Sequence, residues 1–422
     1  MQEEPQETSR PEKFLTKPII IIFITIFIDL IGFGIVIPVL PYYAEGEAFK
    51  ATPFEIGLLF ASFSIMQFVF SPILGSLSDK YGRRPVLFFS LLGTAAGFFM
   101  VGLATTLWML FAGRILDGIT GGNISTAQAY IADVTSRENR ARGMGLIGAA
   151  FGLGFVFGPA LGGILSKYGS HIPFIVAGCM ALANATALYF FLPESLTTKR
   201  EAQLAARKNR FVELFDSVLD ARFRDLTILY FLLVTAFSIM TTCFSLYTME
   251  RFSYNAEQNG YLFFYVGIVA ALTQGFLFGR LARMFGEAKL TIFGGLLLTA
   301  SLFAVPFVSP VSGGLAGLLA GVACFAFGNS IASPAITSLA SKSASDREQG
   351  KALGVMQSGA SLARAVGPAI GGYLMNNALN KVDDHTIQRT FWTAAGIMLM
   401  AVLMGVYFTW KTRAGNVGER WD

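Results

Sequence analysis

Long apolar segments recur along the whole chain, and short polar segments separate them. A helix needs roughly 20 mostly apolar residues to cross a bilayer, and twelve segments of about that length can be counted. These predicted spans, numbered 1 to 12 in chain order, are residues 18–42, 54–78, 85–105, 107–131, 143–166, 171–192, 224–249, 258–282, 288–308, 311–339, 350–375 and 388–410. The pattern predicts an all-α integral membrane protein with twelve transmembrane helices.

The composition agrees with a chain that lies mostly in lipid. Hydrophobic residues make up 54% of the 422 residues and charged residues only 14%, whereas charged residues make up about 25% of soluble proteins. The mean hydropathy is +0.57. Span 1 follows an acidic leader and lacks a small-residue cleavage site, so we expect it to remain as a helix rather than be removed as a signal peptide.

Lysine and arginine residues are distributed unequally between the two sides of the predicted membrane. The two tails and the loops after even-numbered spans contain 25 of them, and the loops after odd-numbered spans contain 5. Cytoplasmic loops carry the excess of positive charge, so we predict a multi-pass protein of the inner cell membrane with both termini cytoplasmic. The net charge of +5 reflects this asymmetry, and the scattered basic residues do not indicate a nucleic-acid surface.

The two halves of the chain share an internal repeat. Phe157–Leu165 in span 5 matches Val366–Leu374 in span 11 at an offset of 209 residues, and Gly122-Asn123 recurs as Gly328-Asn329 at an offset of 206. The motif that begins at Gly75 recurs at Gly279, at an offset of 204. Six spans per half give both halves the same orientation in the membrane, which predicts a parallel repeat.

The repeat predicts five divisions of the chain. They are an N-terminal tail (1–17), an N-terminal six-helix bundle (18–192), a linker (193–223), a C-terminal six-helix bundle (224–410) and a C-terminal tail (411–422). The stretch Ala202–Leu219 of the linker could lie as an amphipathic helix on the membrane surface.

The loop between spans 2 and 3 contains a compact charged motif, Gly75-x-x-x-Asp79-Lys80-x-Gly82-Arg83-Arg84. Together with the twelve spans and the parallel repeat, this motif resembles the signature of the major facilitator superfamily, and the resemblance covers essentially the whole chain. Span 5 resembles the motif of that superfamily's antiporters in its residues Gly154, Gly158, Pro159, Gly162 and Gly163.

Three further motifs narrow the resemblance. The run Asp29-x-x-Gly32-x-Gly34 resembles span 1 of the drug/proton antiporter branch. The runs Arg114-x-x-Asp117-Gly118, Ala129–Asp133 and Leu192–Ser195 are most similar to tetracycline/proton antiporters and their uncharacterised relatives.

The resemblance implies a proton-coupled secondary active antiporter that exports a small amphipathic compound or drug by alternating access. Its partners would be the substrate, protons and the lipid bilayer, and we expect a monomer without a cofactor or metal. The tetracycline pumps carry further membrane acids on spans 3 and 9, whereas this chain has Gly97 at the aligned position and no carboxylate in residues 288–308. We therefore expect a relative with shifted proton and substrate chemistry.

Charged residues inside the spans are candidates for proton coupling, because each costs about 2.5–3.5 kcal/mol at the centre of a membrane helix. Asp29 lies in span 1, and Arg114 and Asp117 lie three residues apart on one face of span 4. Removal from water favours the protonated form of a carboxyl group, and a nearby guanidinium opposes this. These three residues form the predicted proton-coupling cluster; the alternative is a permanent Arg114–Asp117 pair that only holds the helices together.

The residues of the 2–3 loop are predicted to act as a conformational latch, formed by Gly75, Asp79, Arg83, Arg84 and Asp133. By resemblance to the family, Asp79 would accept hydrogen bonds from the start of span 11 near Glu348–Lys351, and Arg83 would reach Asp133. These contacts would hold the outward-open state. The alternative is a solvated loop that only sets topology, and Arg283 replaces Asp79 in the second copy, which predicts an asymmetric latch.

Polar side chains at membrane depth are candidates for a substrate cavity. They are Gln67, Asn123, Gln128, Gln274, Asn329, Gln357 and Arg364, together with Phe60, Phe63, Tyr247 and Tyr265. Interhelical hydrogen bonding is the alternative role of the amides. Arg364 has no acidic partner on its own helix, so it would bind an acidic substrate group, pair with a carboxylate across the cavity, or snorkel to a helix end.

The sequence supports other functions less well than it supports a proton-coupled antiporter. A facilitator, or a proton-linked importer of a metabolite or lipid-like molecule, would be favoured if Asp29 and Asp117 proved dispensable for transport against a gradient. A non-transporting membrane receptor would show no counterflow. An enzyme is not expected, because the chain has no P-loop and no metal-spaced histidine or cysteine set.

Overall fold

The computed structural model describes residues 16–136, 139–196, 221–343 and 349–418. The predicted amphipathic stretch Ala202–Leu219 and Glu348, in the region predicted to contact Asp79, lie outside them. Within the described residues the regular elements are all helices, joined by short loops, and no β-strand forms. The helices are α1 (Lys17–Glu45), α2 (Pro53–Tyr81), α3 (Arg83–Gly102), α4 (Leu107–Thr120 and Asn123–Val134), α5 (Arg140–Ser166), α6 (Ile172–Phe191), α7 (Ala221–Phe252), α8 (Ala256–Leu272, a π turn Thr273–Leu277, and Phe278–Phe285), α9 (Glu287–Ala304), α10 (Gly314–Lys342), α11 (Gln349–Met375) and α12 (Asp384–Gly418).

Each predicted span corresponds to one of these helices, so span 1 is α1 and span 12 is α12. Among the described residues, ten helices are long and apolar enough to cross a membrane. The other two are α4, which is broken into segments of 14 and 12 residues, and α11, which contains Lys351, Arg364, two serines and six glycines. Both pack along qualifying helices, α4 against α2 and α3, and α11 against α2 and α7.

The break in α4 results from close packing against α2. A Cβ atom added at Gly118 would lie 2.4 Å from the carbonyl oxygen of Phe63, and one added at Gly122 would lie 2.8 Å from the Cα of Ser71. The Gln67 amide donates to the carbonyl oxygen of Gly121 at 2.9 Å, which satisfies a backbone group freed by the break. The prediction of one continuous span 4 was therefore wrong in this detail.

The helix packing repeats between the two halves. In the first half α1 packs against α5 and α6, α3 against α4 and α6, and α2 against α4. In the second half α7 packs against α11 and α12, α9 against α10 and α12, and α8 against α10. Adding six to each helix number converts the first set into the second, so two pseudo-symmetric six-helix bundles are confirmed. The residue boundaries 18–192, 193–223 and 224–410 stay predictions.

Glycine pairs join the two bundles at the ends of the helices that are predicted to face outward. On α2 and α11, a Cβ at Gly57 would lie 2.4 Å from the carbonyl oxygen of Pro368 and 2.9 Å from the Cα of Gly372. On α5 and α8, a Cβ at Gly260 would lie 2.7 Å from the carbonyl oxygen of Pro159 and 2.8 Å from the Cα of Gly163. Only glycine permits backbones to approach so closely, so both interfaces are closed at this level.

The opposite ends of the same helices are not packed across the interface. Within the described residues, a Cβ added at Gly148 or Gly152 of α5, or at Gly275 or Gly279 of α8, would have no atom within 4 Å. The salt bridge between Lys167 and Glu257 (2.8 Å) lies at the closed outer level. The bundles therefore diverge toward the predicted cytoplasmic side, and the structure is open on that side.

Helix α8 contains one residue more than its counterpart α2. Both helices begin with a capping box, at Thr52 in α2 and at Asn255 in α8, an offset of 203. Both end at a glycine with positive φ, Gly82 (101°) and Gly286 (78°), an offset of 204. The π turn Thr273–Leu277 lies between these two ends and accommodates the inserted residue.

Candidate functional site

A cavity of about 620 Å³ lies between the two bundles, within the size range of small-molecule sites. Its wall comes from α1 to α5 in the first half and from α7, α8, α10 and α11 in the second, and no described residue of α6, α9 or α12 belongs to it. Phenylalanine side chains form much of the wall, including Phe60, Phe63, Phe237 and Phe325. A few polar and charged groups interrupt this apolar surface.

Six of the seven side chains predicted to line a cavity lie on this wall: Gln67, Gln128, Gln274, Asn329, Gln357 and Arg364. Asn123 does not, because it is 5% exposed at the start of the second segment of α4, where its amide faces the Asp29 carboxyl group. Phe60 and Phe63 also line the cavity. Tyr247 and Tyr265 do not belong to the wall; Tyr247 is buried and donates its hydroxyl to the carbonyl oxygens of Val305 (3.0 Å) and Val308 (2.8 Å).

Arg114 and Asp117 form a buried ion pair on the first segment of α4. The Arg114 Nη1 atom lies 2.7 Å from Asp117 Oδ2, and the two residues are 2% and 5% exposed. The guanidinium also lies over the Phe63 ring, 4.2 Å from its centroid, a cation–π contact. A Cβ at Gly97 would lie 2.9 Å from the Cβ of Asp117. Asp117 on α4 therefore lies against the position on α3 where the resemblance to tetracycline pumps predicts an acid.

Asp29 lies on α1, half-buried in the cavity wall, and its carboxyl group is near that of Asp117. None of the salt bridges among the described residues includes Asp29, whereas Asp117 is paired with Arg114. Asp29 can therefore exchange a proton with the cavity without breaking an ion pair. The structure brings the three residues of the predicted proton-coupling cluster together.

Arg364 enters the cavity from the second half. It is half-buried on α11, and its Nη2 atom donates to Ser361 Oγ at 3.1 Å, one turn earlier on the same helix. No salt bridge among the described residues includes it. Within the described part of the chain, the cavity thus presents an acid without a counter-ion from one bundle and an arginine without a counter-ion from the other.

The predicted latch residues meet at the predicted cytoplasmic ends of α2, α3 and α4. Arg83 is 3% exposed; its Nη1 atom lies 2.5 Å from Asp79 Oδ1, and its Nε atom lies 3.2 Å from Asp133 Oδ2. Gly75 is buried one turn earlier on α2. The predicted contact between Arg83 and Asp133 thus occurs, but it occurs in a structure that is open on the predicted cytoplasmic side. The prediction that this contact is specific to the outward-open state was therefore wrong, because both residues belong to the same bundle and stay together when the bundles separate. The predicted partner of Asp79 at the start of α11 includes Glu348, outside the described residues.

Sequence reasoning missed the part that Glu194 plays in this loop. Its carboxylate accepts hydrogen bonds from the backbone N–H groups of Arg83 (2.9 Å) and Arg84 (3.0 Å), the first two residues of α3. An acid at a helix N-terminus satisfies free donors and interacts favourably with the helix dipole. Gly82 is required here, since a Cβ on it would lie 2.5 Å from Glu194 Oε2.

Arg84 strengthens the same connection between α3 and the end of α6. Its Nη2 atom donates to the carbonyl oxygen of Tyr189, and its guanidinium lies 5.3 Å from the centroid of the Tyr189 ring. The only available sequence signal for these contacts was the run Leu192–Ser195. No rule of spacing connects that run to a helix start more than 100 residues earlier.

The glycines of the antiporter motif divide between two faces of α5. Gly154, Gly158 and Gly162 face α1, and a Cβ at Gly158 would lie 2.7 Å from the Cα of Gly34. Pro159 and Gly163 face Gly260 on α8. One face therefore fastens α5 within its own bundle, and the other forms the contact between the bundles.

The second copy of the loop motif makes different contacts. The Arg283 Nε atom donates to the carbonyl oxygen of Gly279 on its own helix at 3.2 Å. The neighbouring contact between helices comes from Glu287 of α9, which accepts from Ser338 Oγ (3.2 Å) and from Lys342 of α10. The network around Arg83 is thus not repeated among the described residues of the second half.

Comparison with known proteins agrees with this architecture. The family model of the Major Facilitator Superfamily matches residues 22–351 and again residues 315–420. The chain belongs to this superfamily. The predicted fold is thereby confirmed, and the protein is a multi-pass membrane transporter of small molecules rather than an enzyme.

Among the superfamily members, the tetracycline resistance protein of class H from Pasteurella multocida is 33% identical over 408 residues, covering 93% of this chain and 96% of that protein. Multidrug resistance protein 2 of Bacillus subtilis is 30% identical over 401 residues, covering 94% of this chain and 96% of that protein. The crystal structure of the human organic anion transporter MFSD10 superposes with a TM-score of 0.68 at 26% identity, covering 94% of this chain and 100% of that one.

Proposed function

We propose that this superfamily member is a drug/proton antiporter that exports a small amphipathic compound by alternating access, driven by the proton gradient without a cofactor. Relatives named for tetracycline and multidrug resistance support this proposal along nearly the whole chain. The observation that carries it is Asp29, a membrane carboxyl group that faces the cavity and takes part in no salt bridge among the described residues.

In this mechanism Asp29 is the group that exchanges the transported proton. With the cavity open to the cytoplasm, Asp29 releases its proton and substrate enters between the aromatic side chains. The bundles then rock so that the contacts at Gly57 and Gly163 separate and the cytoplasmic ends close. A proton arriving from outside binds Asp29, substrate leaves, and the protonated cavity returns.

The Arg114–Asp117 pair has a second part in the mechanism. Because Arg114 neutralises Asp117 at 2.7 Å, protonation of Asp117 would leave an unpaired buried arginine, which is costly. We assign Asp117 and Arg114 the role of setting the electrostatic surroundings of Asp29. The contacts of Arg83 with Asp79 and Asp133 are already formed in this cytoplasm-open structure, so the latch of the outward-open state is instead the contact of Asp79 with the start of α11.

The orientation and assembly of the protein follow from the same proposal. The unequal distribution of lysine and arginine, 25 on one side against 5 on the other, supports cytoplasmic termini in the inner cell membrane. We propose a monomer, since the described part of one chain supplies both bundles and residues from both of them to the cavity wall.

The test is a proteoliposome assay with an imposed pH gradient and a pH-sensitive dye inside. Wild-type protein should move protons when a substrate from a compound panel is added, and Asp29→Asn should abolish this proton flux while substrate counterflow continues. Glu47→Gln, a carboxylate on the exposed outer loop, is the matched control and should behave like wild type.

Two results would overturn the proposal. Undiminished proton flux in Asp29→Asn would remove Asp29 from the coupling step. Substrate transport without any proton flux would instead favour the facilitator that the sequence leaves open. Because one structural relative is named an organic anion transporter, acidic compounds belong in the panel beside tetracycline and cationic dyes.

A further inference from the structure

The two arginines of the cavity differ in what they are able to bind. Arg114 is 2% exposed, paired with Asp117 at 2.7 Å and covered by the Phe63 ring. Arg364 is half-buried, and its hydrogen-bond partner is Ser361, at 3.1 Å on its own helix. Of the two, Arg364 is therefore the cation that has donors available for a ligand.

The geometry of the guanidinium group determines which ligand groups it binds best. The group carries five N–H donors in a planar fork that fits a carboxylate or a similar oxyanion with two parallel hydrogen bonds. A charged side chain at membrane depth is costly, and a single serine hydroxyl offsets little of that cost. An acidic ligand group supplies both the missing charge and the missing acceptors.

The surrounding wall indicates the remainder of such a ligand. Phe237 and Phe325 are stacked with ring centroids 5.6 Å apart, and Phe60, Phe63 and Phe263 lie on the same wall. Flat aromatic bodies pack well against such side chains. The cavity therefore suits a molecule with an aromatic body and one acidic group.

We infer that Arg364 is the anchor for the acidic group of the substrate, so that the exported class is aromatic organic anions. This inference rests on the proposed antiporter function. Asp29, in the opposite bundle, remains available for the proton, because the substrate brings its negative charge to Arg364 and needs no contact with Asp29.

The charges of this cycle lead to a second measurable consequence. The loaded cavity moves outward with a net charge of −1, from ionised Asp29, Arg364 and the anion. The empty cavity returns with a net charge of +1, from protonated Asp29 and Arg364. One anion leaves for each proton that enters, so a potential that is negative inside accelerates both movements.

The first experiment measures binding of three matched naphthalene probes to the purified full chain by isothermal titration. The probes are 2-naphthoate, its neutral amide 2-naphthamide, and 2-naphthylmethylammonium. Wild type should prefer 2-naphthoate, and Arg364→Gln should weaken it roughly 10- to 100-fold, the effect of losing hydrogen bonds to a charged group. Arg364→Lys should recover part of the loss, and Lys381→Gln, on an exposed loop, should change nothing.

Binding of 2-naphthamide serves as the internal control for folding, since it should be equal in wild type and Arg364→Gln. Equal affinity for 2-naphthoate in these two proteins, a preference for the ammonium probe, or no binding of 2-naphthoate would overturn the inference.

The second experiment separates this inference from the antiporter proposal. In proteoliposomes with a potassium diffusion potential, 2-naphthoate should drive a proton flux that a negative interior increases. Proton flux that depends on Asp29 but occurs only with cationic compounds would refute the anion anchor and leave the antiporter standing. Arg364-dependent binding of 2-naphthoate without any proton flux would support the anion anchor and refute the antiporter proposal.

Discussion

The glycine contacts between α5 and α8 allow the conformational equilibrium to be shifted by one methyl group. A Cβ added at Gly163 would lie 3.0 Å from the Cα of Gly260, 3.1 Å from the carbonyl oxygen of Glu257 and 3.2 Å from that of Ala256. All three neighbours are backbone atoms, so no side chain can rotate away. Gly163→Ala should therefore push the two helices apart at the outer level.

The size of the effect follows from where the contact exists. Overpacking by one methyl group costs about 1–3 kcal/mol. The cost applies only while the outer ends are closed, because the two bundles separate there in the outward-open state. A cost confined to one of two states shifts their equilibrium by the whole amount, roughly 5- to 150-fold toward the outward-open state.

Two alanine variants on the same helix separate this effect from others. Gly148 faces open space within the described structure, so Gly148→Ala carries the helix-propensity gain of alanine, about 1 kcal/mol, without the contact. Gly158 packs against Gly34 inside one bundle. Gly158→Ala should therefore lower stability without favouring either state.

The assay is labelling of one reporter cysteine at a partly exposed position of the cavity wall, Ser333→Cys, with a membrane-impermeant maleimide in vesicles of known orientation. The native cysteines Cys179, Cys243 and Cys324 are first replaced by serine. Gly163→Ala should raise labelling from the outer side and lower it from the cytoplasmic side, and Gly148→Ala should match the parent. Equal labelling in Gly163→Ala and Gly148→Ala would refute the reasoning.

Three further variants test separate parts of the structure. Asp117→Asn should lower the free energy of unfolding in detergent by about 3–5 kcal/mol, because it leaves Arg114 buried without its carboxylate partner. A thermal unfolding curve like that of wild type would contradict the existence of the buried ion pair. Glu194→Gln should weaken the start of α3 by about 1 kcal/mol and speed hydrogen exchange at the Arg83 and Arg84 amides, and unchanged exchange would exclude the cap. Deletion of Phe276 should convert the π turn to regular α-helix and slow transport, while substrate binding stays intact. Phe276→Ala keeps the number of residues and should leave transport unchanged. Equal transport rates in the two variants would contradict a role for the turn.

Local patterns predicted most of the fold. Twelve spans, the two-fold repeat and the ion pair three residues apart on α4 depend on hydropathy, residue spacing and internal similarity, which a sequence displays directly. The contact between Arg83 and Asp133 came from the family resemblance. Asn123 was misplaced, since an amide at membrane depth looks the same whether it faces a cavity or, as here, the neighbouring Asp29 carboxyl group.

Contacts between residues far apart in the sequence could not be predicted from such local patterns. The cap that Glu194 forms on α3 and the burial of Tyr247 depend on how helix ends meet in space. The break in α4 at Gly121 and Gly122 depends on how closely α2 approaches. In each case the deciding neighbour lies about 50 residues or more away, and an apolar stretch with two glycines reads as one continuous span.

The corresponding helices α2 and α8 both contain a backbone irregularity, but its cause differs between the two. In α2 the interruption is Pro72, which lacks the N–H group of a regular helical hydrogen bond. The offset of 204 places Pro72 opposite Phe276, inside the π turn of α8. Both helices are closely packed on the outer side of this level, at Gly57 and Gly260, while on the other side Gly279 has open space around it. A backbone irregularity between a fixed segment and a free one is where bending costs least. Closure of the cytoplasmic side would therefore bend α8 at its π turn, whereas the end of α2 beyond Pro72, where Gly75 and Ser78 are buried, would move with its own bundle.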